Sequence, residues 1–306
     1  INIEKGGLHA DAQAHWDAED VLPRIGWIDA GIKFNVVPAS SKAMVKGMRA
    51  QDVQRYLASA QEKTGAKFSC EEGDEGVVIT CQGVNAHAST PYEGVNALTA
   101  LCTLLAALPL QGKGAQLVRG LTHIYPHGDF YGVSAGIAQE DEVSGQLTIS
   151  LDVLQMDETS ASLQADCRAP LCASDANLTD VLRAKYASIG FTMADNCMYK
   201  PHYVPEDSPL VQTLLSVYER YTGKKGSCIA IGGAYSIDGS ILPCSATLLP
   251  TRRRASAMSV VQSRPSASQP VSAIASSHCP PPLVNSVTGT RRPSFSRSKP
   301  STILCM

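Results

Sequence analysis

The stretch Gly76–Leu105, GVVITCQGVNAHASTPYEGVNALTALCTLL, constrains the fold more than any other. Val77, Ile79 and Cys81 alternate with Val78 and Thr80, the period of a half-buried strand. The chain then turns and sets His87 among the small residues Ala86, Ala88 and Ser89. It breaks at Pro91 and from Glu93 enters an apolar helix that ends near Pro109. A histidine where a strand gives way to a loop can be held firmly and still face a cleft. Small neighbours let a second chain or a ligand come close.

Other elements follow from the same two periods. Ile1–Lys5 is a short strand. Gly31–Pro38, GIKFNVVP, reads as a strand closed by proline, and Lys42–Met48 as another. Ala50–Thr64 is an amphipathic helix with Val53, Leu57 and Ala60 on one face and Gly65 in the C-cap position. Lys67–Glu72 and Gly76–Gln82 pair as a hairpin. Leu147–Gln155 and Ser160–Arg168 are two more strands. Ser174 caps a helix to Ile189, closed by Gly190, and Phe191–Cys197 is read as a strand. Ser208 caps a second helix with Pro209 at its first position and Gly223 past its end, and Ser227–Ile231 is a short strand. This order suggests a compact α+β unit, with helices on one face of an antiparallel sheet.

Several polar residues carry two readings each. Gly6–Asp20 holds His9, Asp11, His15, Asp17 and Asp20, but without a register that puts ligands on one face, so a polar exposed connection is preferred to a metal site. Across Gly112–Asp141, His123 and His127 are four apart with Pro126 between them, so a loop or broken helix is favoured. Asn35 lies inside an apolar run, where its amide bonds to backbone or points into a cleft. Asp166 and Arg168 share a strand face just before Pro170. They form either a surface ion pair, worth little, or a bidentate carboxylate clamp. Gly232 and Gly233 follow a buried strand and would let backbone approach a ligand.

At 306 residues the chain has room for one large domain or two ordinary ones. A net charge of -2 gives no case for nucleic acid or an anionic membrane as partner. No apolar run reaches the roughly 20 residues that span a bilayer. Ten cysteines without a CxxC pair, several in apolar patterns (Cys81, Cys102, Cys228), suit reduced thiols in the cytoplasm. The chain opens on Ile1, and its natural N-terminus is expected upstream. From Gly239 to Met306 there is no Asp or Glu in 68 residues, where the chain-wide rate gives about six, while Arg, Ser and Pro dominate. The hypothesis is a frameshift near Gly233; a genuine disordered basic arm is the alternative. Sequencing the encoding DNA decides: another frame must restore acidic residues and apolar periodicity, or the frameshift fails.

With these residues in view, the chain resembles the dinuclear-metal dipeptidases of the PepV/Sapep type, in the aminoacylase and carnosinase superfamily. The matching stretches are INIEKG at Ile1, FNVVP at Phe34, GVNAHASTPYEGVNAL at Gly83, PHGDFYG at Pro126, EDEVSGQLT at Glu140, DCRAPLCA at Asp166 and IAIGGAY at Ile229. The resemblance implies a catalytic domain carrying two divalent ions, zinc or manganese, and a lid that closes over a dipeptide or small aminoacyl substrate. It places the end of a first catalytic segment at 1–5, the lid at 6–200, a returning catalytic segment at 201–235 and an aberrant tail at 236–306. It assigns His87 to the oxyanion, Asn35 to substrate and Arg168 to the substrate's terminal carboxylate. Gly232 and Gly233 line the same pocket.

In the resembled family the first metal ligands and the glutamate base lie upstream of INIEKG, and the last metal histidine lies beyond the Gly-rich turn. No metal role passes to His278, and this chain alone is expected to bind no dinuclear centre and to lack peptidase activity. Two other readings stay open: a non-catalytic binding or dimerisation module, with a homodimer possible, and an amidohydrolase of N-acyl amino acids.

Overall fold

The computed structural model describes residues 2–228 and 230–231. In chain order its strands and helices begin with β1 (Ile3–Glu4), β2 (Gly6–His15), β3 (Arg24–Ala30), β4 (Val36–Val37), β5 (Ser40–Lys46) and α1 (Ala50–Thr64). Next come β6 (Lys67–Glu72), β7 (Val77–Gln82), β8 (Ala86–His87), α2 (Ala97–Ala107) and α3 (Gly112–Ile124). Then follow β9 (Glu140–Asp141), β10 (Gly145–Gln146), β11 (Thr148–Met156), β12 (Ser160–Ala169) and α4 (Thr179–Ile189). The last are β13 (Thr192–Met193), β14 (His202–Tyr203), α5 (Pro209–Thr222) and β15 (Ala230–Ile231).

Eight strands form one antiparallel sheet in the order β13-β2-β12-β11-β3-β5-β7-β6. Helices α1 to α4 lie against one face, as the α+β reading requires. Leu8, Ala10, Ala12, Ile28, Ile79, Leu151, Leu163 and Ala165 from the sheet meet Leu98, Leu101, Leu105, Leu117, Leu121 and Tyr186 from the helices in one core. Alternation puts His9, Asp11, Gln13 and His15 of β2 on the opposite face, which carries mostly polar side chains.

The helix ends follow local rules. Gly65, Gly190 and Gly223 close α1, α4 and α5 in the left-handed conformation. Asn96 caps α2 by accepting from the Leu98 and Thr99 amides. Its own amide donates to the Leu151 carbonyl, 2.8 Å away, which ties the helix start to the centre of the sheet.

Four expectations are corrected. Gly6–Asp20 is no exposed connection: ten of its residues form β2, one of the long central strands. Alanine at every second position is a weak strand former, and it hid an alternation that is plain once paired. Of the strand expected over Gly31–Pro38 only Val36–Val37 is strand: β3 ends before it at Ala30, and Gly31 turns at φ 77. A side chain at Gly31 would run into the Asp152 carbonyl oxygen, so the turn needs glycine on two counts. Gly112–Ile124 is a regular helix, with Pro126 beyond its end rather than inside it. Of Phe191–Cys197, only Thr192–Met193 is strand.

A separate three-stranded sheet holds β1 between β14, antiparallel, and β15, parallel. The first residues of the chain and the segment after 200 therefore meet in one small sheet. Gly232, Gly233 and the whole Arg/Ser/Pro-rich stretch lie outside the described residues.

Candidate active site

His87 sits in β8, which pairs with β4 so that His87 faces Val36 in register. The Asn35 carbonyl accepts from the Ala88 amide at 3.1 Å, so Asn35 and His87 are gathered into one short ribbon. The His87 ring is exposed, and its Nδ1 has two partners. The Ser89 backbone N–H donates to it at 3.1 Å, and the Ser89 Oγ lies at 2.8 Å. A backbone amide can only donate, so Nδ1 is an acceptor and the ring proton of the neutral imidazole is on Nε2. The loop thus fixes the tautomer and leaves Nε2–H as the outward donor.

The second part of the site lies on β12. Arg168 is 5% exposed and Asp166 is fully buried, which corrects the surface-pair reading. Both Nε and Nη2 of Arg168 donate to Asp166 Oδ2, at 2.9 and 2.7 Å. Burial opposes the arginine's charge, yet Asp166 and, less strongly, the nearby Tyr199 hydroxyl hold its pKa above the ordinary value. Burial raises the Tyr199 pKa, with Arg168 pulling the other way. Gly7 lies opposite Arg168 in register, and a side chain there would run into the Tyr199 hydroxyl. Only glycine leaves room for that ring, which two backbone hydrogen bonds between Gly7 and Tyr199 also hold in place.

His9 was not singled out as a site residue, yet it joins these parts. It is opposite Asp166 on β2, with Nε2 at 3.6 Å from Asp166 Oδ1. Its ring packs on Phe34 at 4.2 Å between centroids and edge-on to Tyr199 at 5.6 Å. Burial lowers its pKa, against the opposing pull of Asp166. Phe34 precedes Asn35, so one route of contacts runs from Arg168 through Asp166, His9 and Phe34 to Asn35. A second runs through Thr148, opposite Arg168 on β11, whose hydroxyl donates to the Ser89 carbonyl at 3.3 Å. These chains of contacts link the β4–β8 ribbon that carries Asn35 and His87 to Arg168 on the large sheet. Alternation along β2 was the signal that could have found His9.

A second buried carboxyl lies on β11. Asp152 is the extra residue of a bulge in β11 and is fully buried. It accepts from the Ser150 hydroxyl through Oδ1, while Oδ2 has no hydrogen-bond partner among the described residues. Burial raises its pKa to about 9, so it is neutral near pH 7.

The other polar motifs are structural. His127 bonds Thr99 Oγ1 through Nδ1 and the Thr64 carbonyl through Nε2, each at 2.9 Å. Asp129 accepts from the Tyr131, Val133 and Ser134 amides and shapes the loop after α3. Among the described residues no three His, Cys, Asp or Glu side chains cluster in a way that could hold a metal ion. None of the described helices is long and apolar enough to cross a membrane.

The described residues thus form a helix-backed antiparallel sheet with a tautomer-fixed histidine, an asparagine and a buried Asp–Arg pair linked by contacts. Residues 73–169 match the family model described as a peptidase dimerisation domain. YtjP of Bacillus subtilis (strain 168) is 30% identical over 237 residues, covering 76% of this chain and 50% of YtjP. The Beta-Ala-Xaa dipeptidase of Lactobacillus delbrueckii subsp. lactis is 33% identical over 205 residues, covering 67% of this chain and 43% of its own length. The chain spans about half the length of the curated relatives it matches. The aminoacylhistidine dipeptidase structure from Vibrio alginolyticus overlaps at a TM-score of 0.39 with 10% identity, over 77% of this chain and 52% of that one. The chain is thus similar to dipeptidases over about half of their length, and its residues 73–169 match the peptidase dimerisation domain.

Proposed function

We propose that this chain is the lid-bearing part of a dipeptidase, a hydrolase whose substrate is a dipeptide or small aminoacylated molecule. The observation that carries the reading is the outward Nε2–H of His87, fixed by the Ser89 amide at a strand exit. A donor held in place before charge develops is what an oxyanion needs in acyl transfer. Arg168 supplies the positive charge that complements a substrate carboxylate, and Asn35, beside His87, supplies an amide for the substrate's backbone. Gly232 and Gly233 would line the same pocket, although they lie outside the described residues.

The domain reading is a lid over 6–200 with catalytic pieces at 1–5 and 201–235, supported by the small sheet in which β1 meets β14 and β15. The resemblance implies two divalent ions, zinc or manganese. The described residues do not offer a fitting donor set, so the roles of His87, Asn35 and Arg168 are confined to binding and hydrogen-bond donation. The match to a peptidase dimerisation domain supports a homodimer as partner. Free thiols buried at Cys81, Cys102 and Cys167 support a reducing compartment such as the cytoplasm.

The test is a substrate panel on the 306-residue chain and on the product of the uninterrupted coding region. The longer product should hydrolyse dipeptides in preference to N-acyl amino acids, and the chain alone should do neither. Preference for N-acyl amino acids, or full activity of a His87→Ala variant, would overturn the reading.

A further inference from the structure

Between β3 and β4 the chain leaves the large sheet at Ala30 and becomes strand again at Val36, so residues 31–35 form a short arch. The arch is held at its two ends. Gly31 lies against the Asp152 carbonyl, and Val36 pairs with His87. Between them Ile32 is 96% exposed and Phe34 37%. No side-chain hydrogen bond or ion pair ties residues 32–35 to another described residue. What anchors the middle is a ring contact: Phe34 rests on the imidazole of His9, with centroids 4.2 Å apart and planes tilted by 49°.

His9 is a firm seat. Its backbone is paired with Asp166 on β12, and its carbonyl accepts from the Asn196 side-chain amide. Tyr199 flanks its ring edge-on. The fully buried Oδ1 of Asp166 makes no hydrogen bond among the described residues and lies 3.6 Å from His9 Nε2, so the carboxylate attracts that side of the imidazole. A ring held by strand, carboxylate and neighbouring aromatic thus meets an arch held only at its ends.

We propose that His9 is the positioning residue of Asn35. With Phe34 seated on the imidazole, the arch stays down, and the Asn35 carbonyl stays bonded to the Ala88 amide, next to His87. The ring face does the seating. This rests on the dipeptidase reading only for what Asn35 binds; the placement itself is a property of the free chain.

The experiment follows amide hydrogen exchange by ¹⁵N–¹H spectra on the 306-residue chain without ligand, and thermal melts check that each variant is folded. The probe is the Ala88 amide, whose bond to Asn35 breaks when the arch lifts, and the β11–β12 amides report the fold. His9→Ala and Phe34→Ala should each speed Ala88 exchange about three- to tenfold, the scale of one aromatic pair, with the β11–β12 amides unchanged. The double variant should exchange no faster than either single one, because both remove the same contact. His9→Phe keeps a ring in the seat and should restore the wild-type rate. Phe34 is on an exposed turn, so Phe34→Ala keeps the test decisive if His9→Ala does not fold.

An Ala88 rate that the variants leave unchanged overturns the inference. Faster exchange across β11 and β12 with a lower melting temperature assigns His9 to the stability of the whole fold and also overturns it. So does a His9→Phe chain that exchanges as fast as His9→Ala, or single effects that add in the double variant. Because no substrate is present, a chain that fails the hydrolysis panel loses the role of Asn35 in substrate binding without moving any of these rates.

Discussion

His87 and His127 make nearly the same local bonds and do different work. Each imidazole accepts at Nδ1, from a serine amide in one case and a threonine hydroxyl in the other, and each therefore carries its proton on Nε2. At His127 that proton goes to the Thr64 carbonyl at the end of α1, inside the fold. At His87 the ring is exposed, and no described residue takes the Nε2 proton. A histidine with both nitrogens satisfied stiffens a loop, and one with a single nitrogen committed is an aimed donor. A candidate catalytic histidine is thus recognised by its uncommitted nitrogen, not by its motif alone.

The strongest way to break the comparison is to truncate both rings in an active dipeptidase that carries this domain. His87→Ala should lower kcat about 10²–10³-fold with the melting temperature unchanged, the scale of a lost oxyanion donor. His127→Ala should leave kcat within a few-fold. Equal kcat losses from the two variants would remove the distinction.

Asp152 sharpens the same contrast from the buried side, because its carboxyl is enclosed and bonds only the Ser150 hydroxyl among the described residues. Its pKa of about 9 stands well above an unfolded value near 4. The folded chain keeps the proton that the unfolded chain releases. The stabilisation is complete below about pH 4 and is lost as pH rises toward 9. Asparagine mimics the neutral carboxyl, so Asp152→Asn should match the wild type near pH 4.5 and melt progressively higher than it by pH 8. A gap that does not change with pH would mean that Asp152 is ionised in the fold.

His127 has the opposite sign. Burial depresses its pKa, so the fold holds a neutral ring that the unfolded chain protonates below about 6.5. Losing the ring strands the Thr64 carbonyl and leaves the Thr99 hydroxyl only its 3.3 Å bond to the Asn96 carbonyl, which should cost about 1–3 kcal/mol near pH 7.5. The deficit of His127→Ala against the wild type should narrow as pH falls below 6.5. A deficit that widens with acid would show that the ring is charged when folded.

Much of this frame is legible in the sequence. The β6–β7 hairpin, α1 with its glycine cap, α5 from Ser208 to Gly223, and the β11–β12 pair follow from period and capping residues. The candidate site was only half legible. His87, Asn35 and Arg168 stood out because each interrupts an apolar or small-residue pattern. His9 and Tyr199 did not, since their roles depend on strands paired across more than 150 residues, where Asp166 meets His9 and Gly7 meets Tyr199. Sequence period tells which face a residue takes, but not what a distant strand sets beside it.

The smallest expected effect is the most selective. Ser89 reaches His87 Nδ1 twice, through its hydroxyl at 2.8 Å and its backbone amide at 3.1 Å. Ser89→Ala removes the first and keeps the second. The amide alone still forbids a proton on Nδ1, so the tautomer and the outward Nε2–H survive. What is lost is one neutral hydrogen bond, worth about 0.5–1.5 kcal/mol, and only the part of it that steadies the ring reaches the transition state. The kcat of Ser89→Ala should therefore fall by no more than about tenfold, with the melting temperature within about a degree of the wild type. A loss as large as that of His87→Ala would mean that the hydroxyl, not the amide, sets the ring's proton, and the tautomer argument for His87 would fail at its first step.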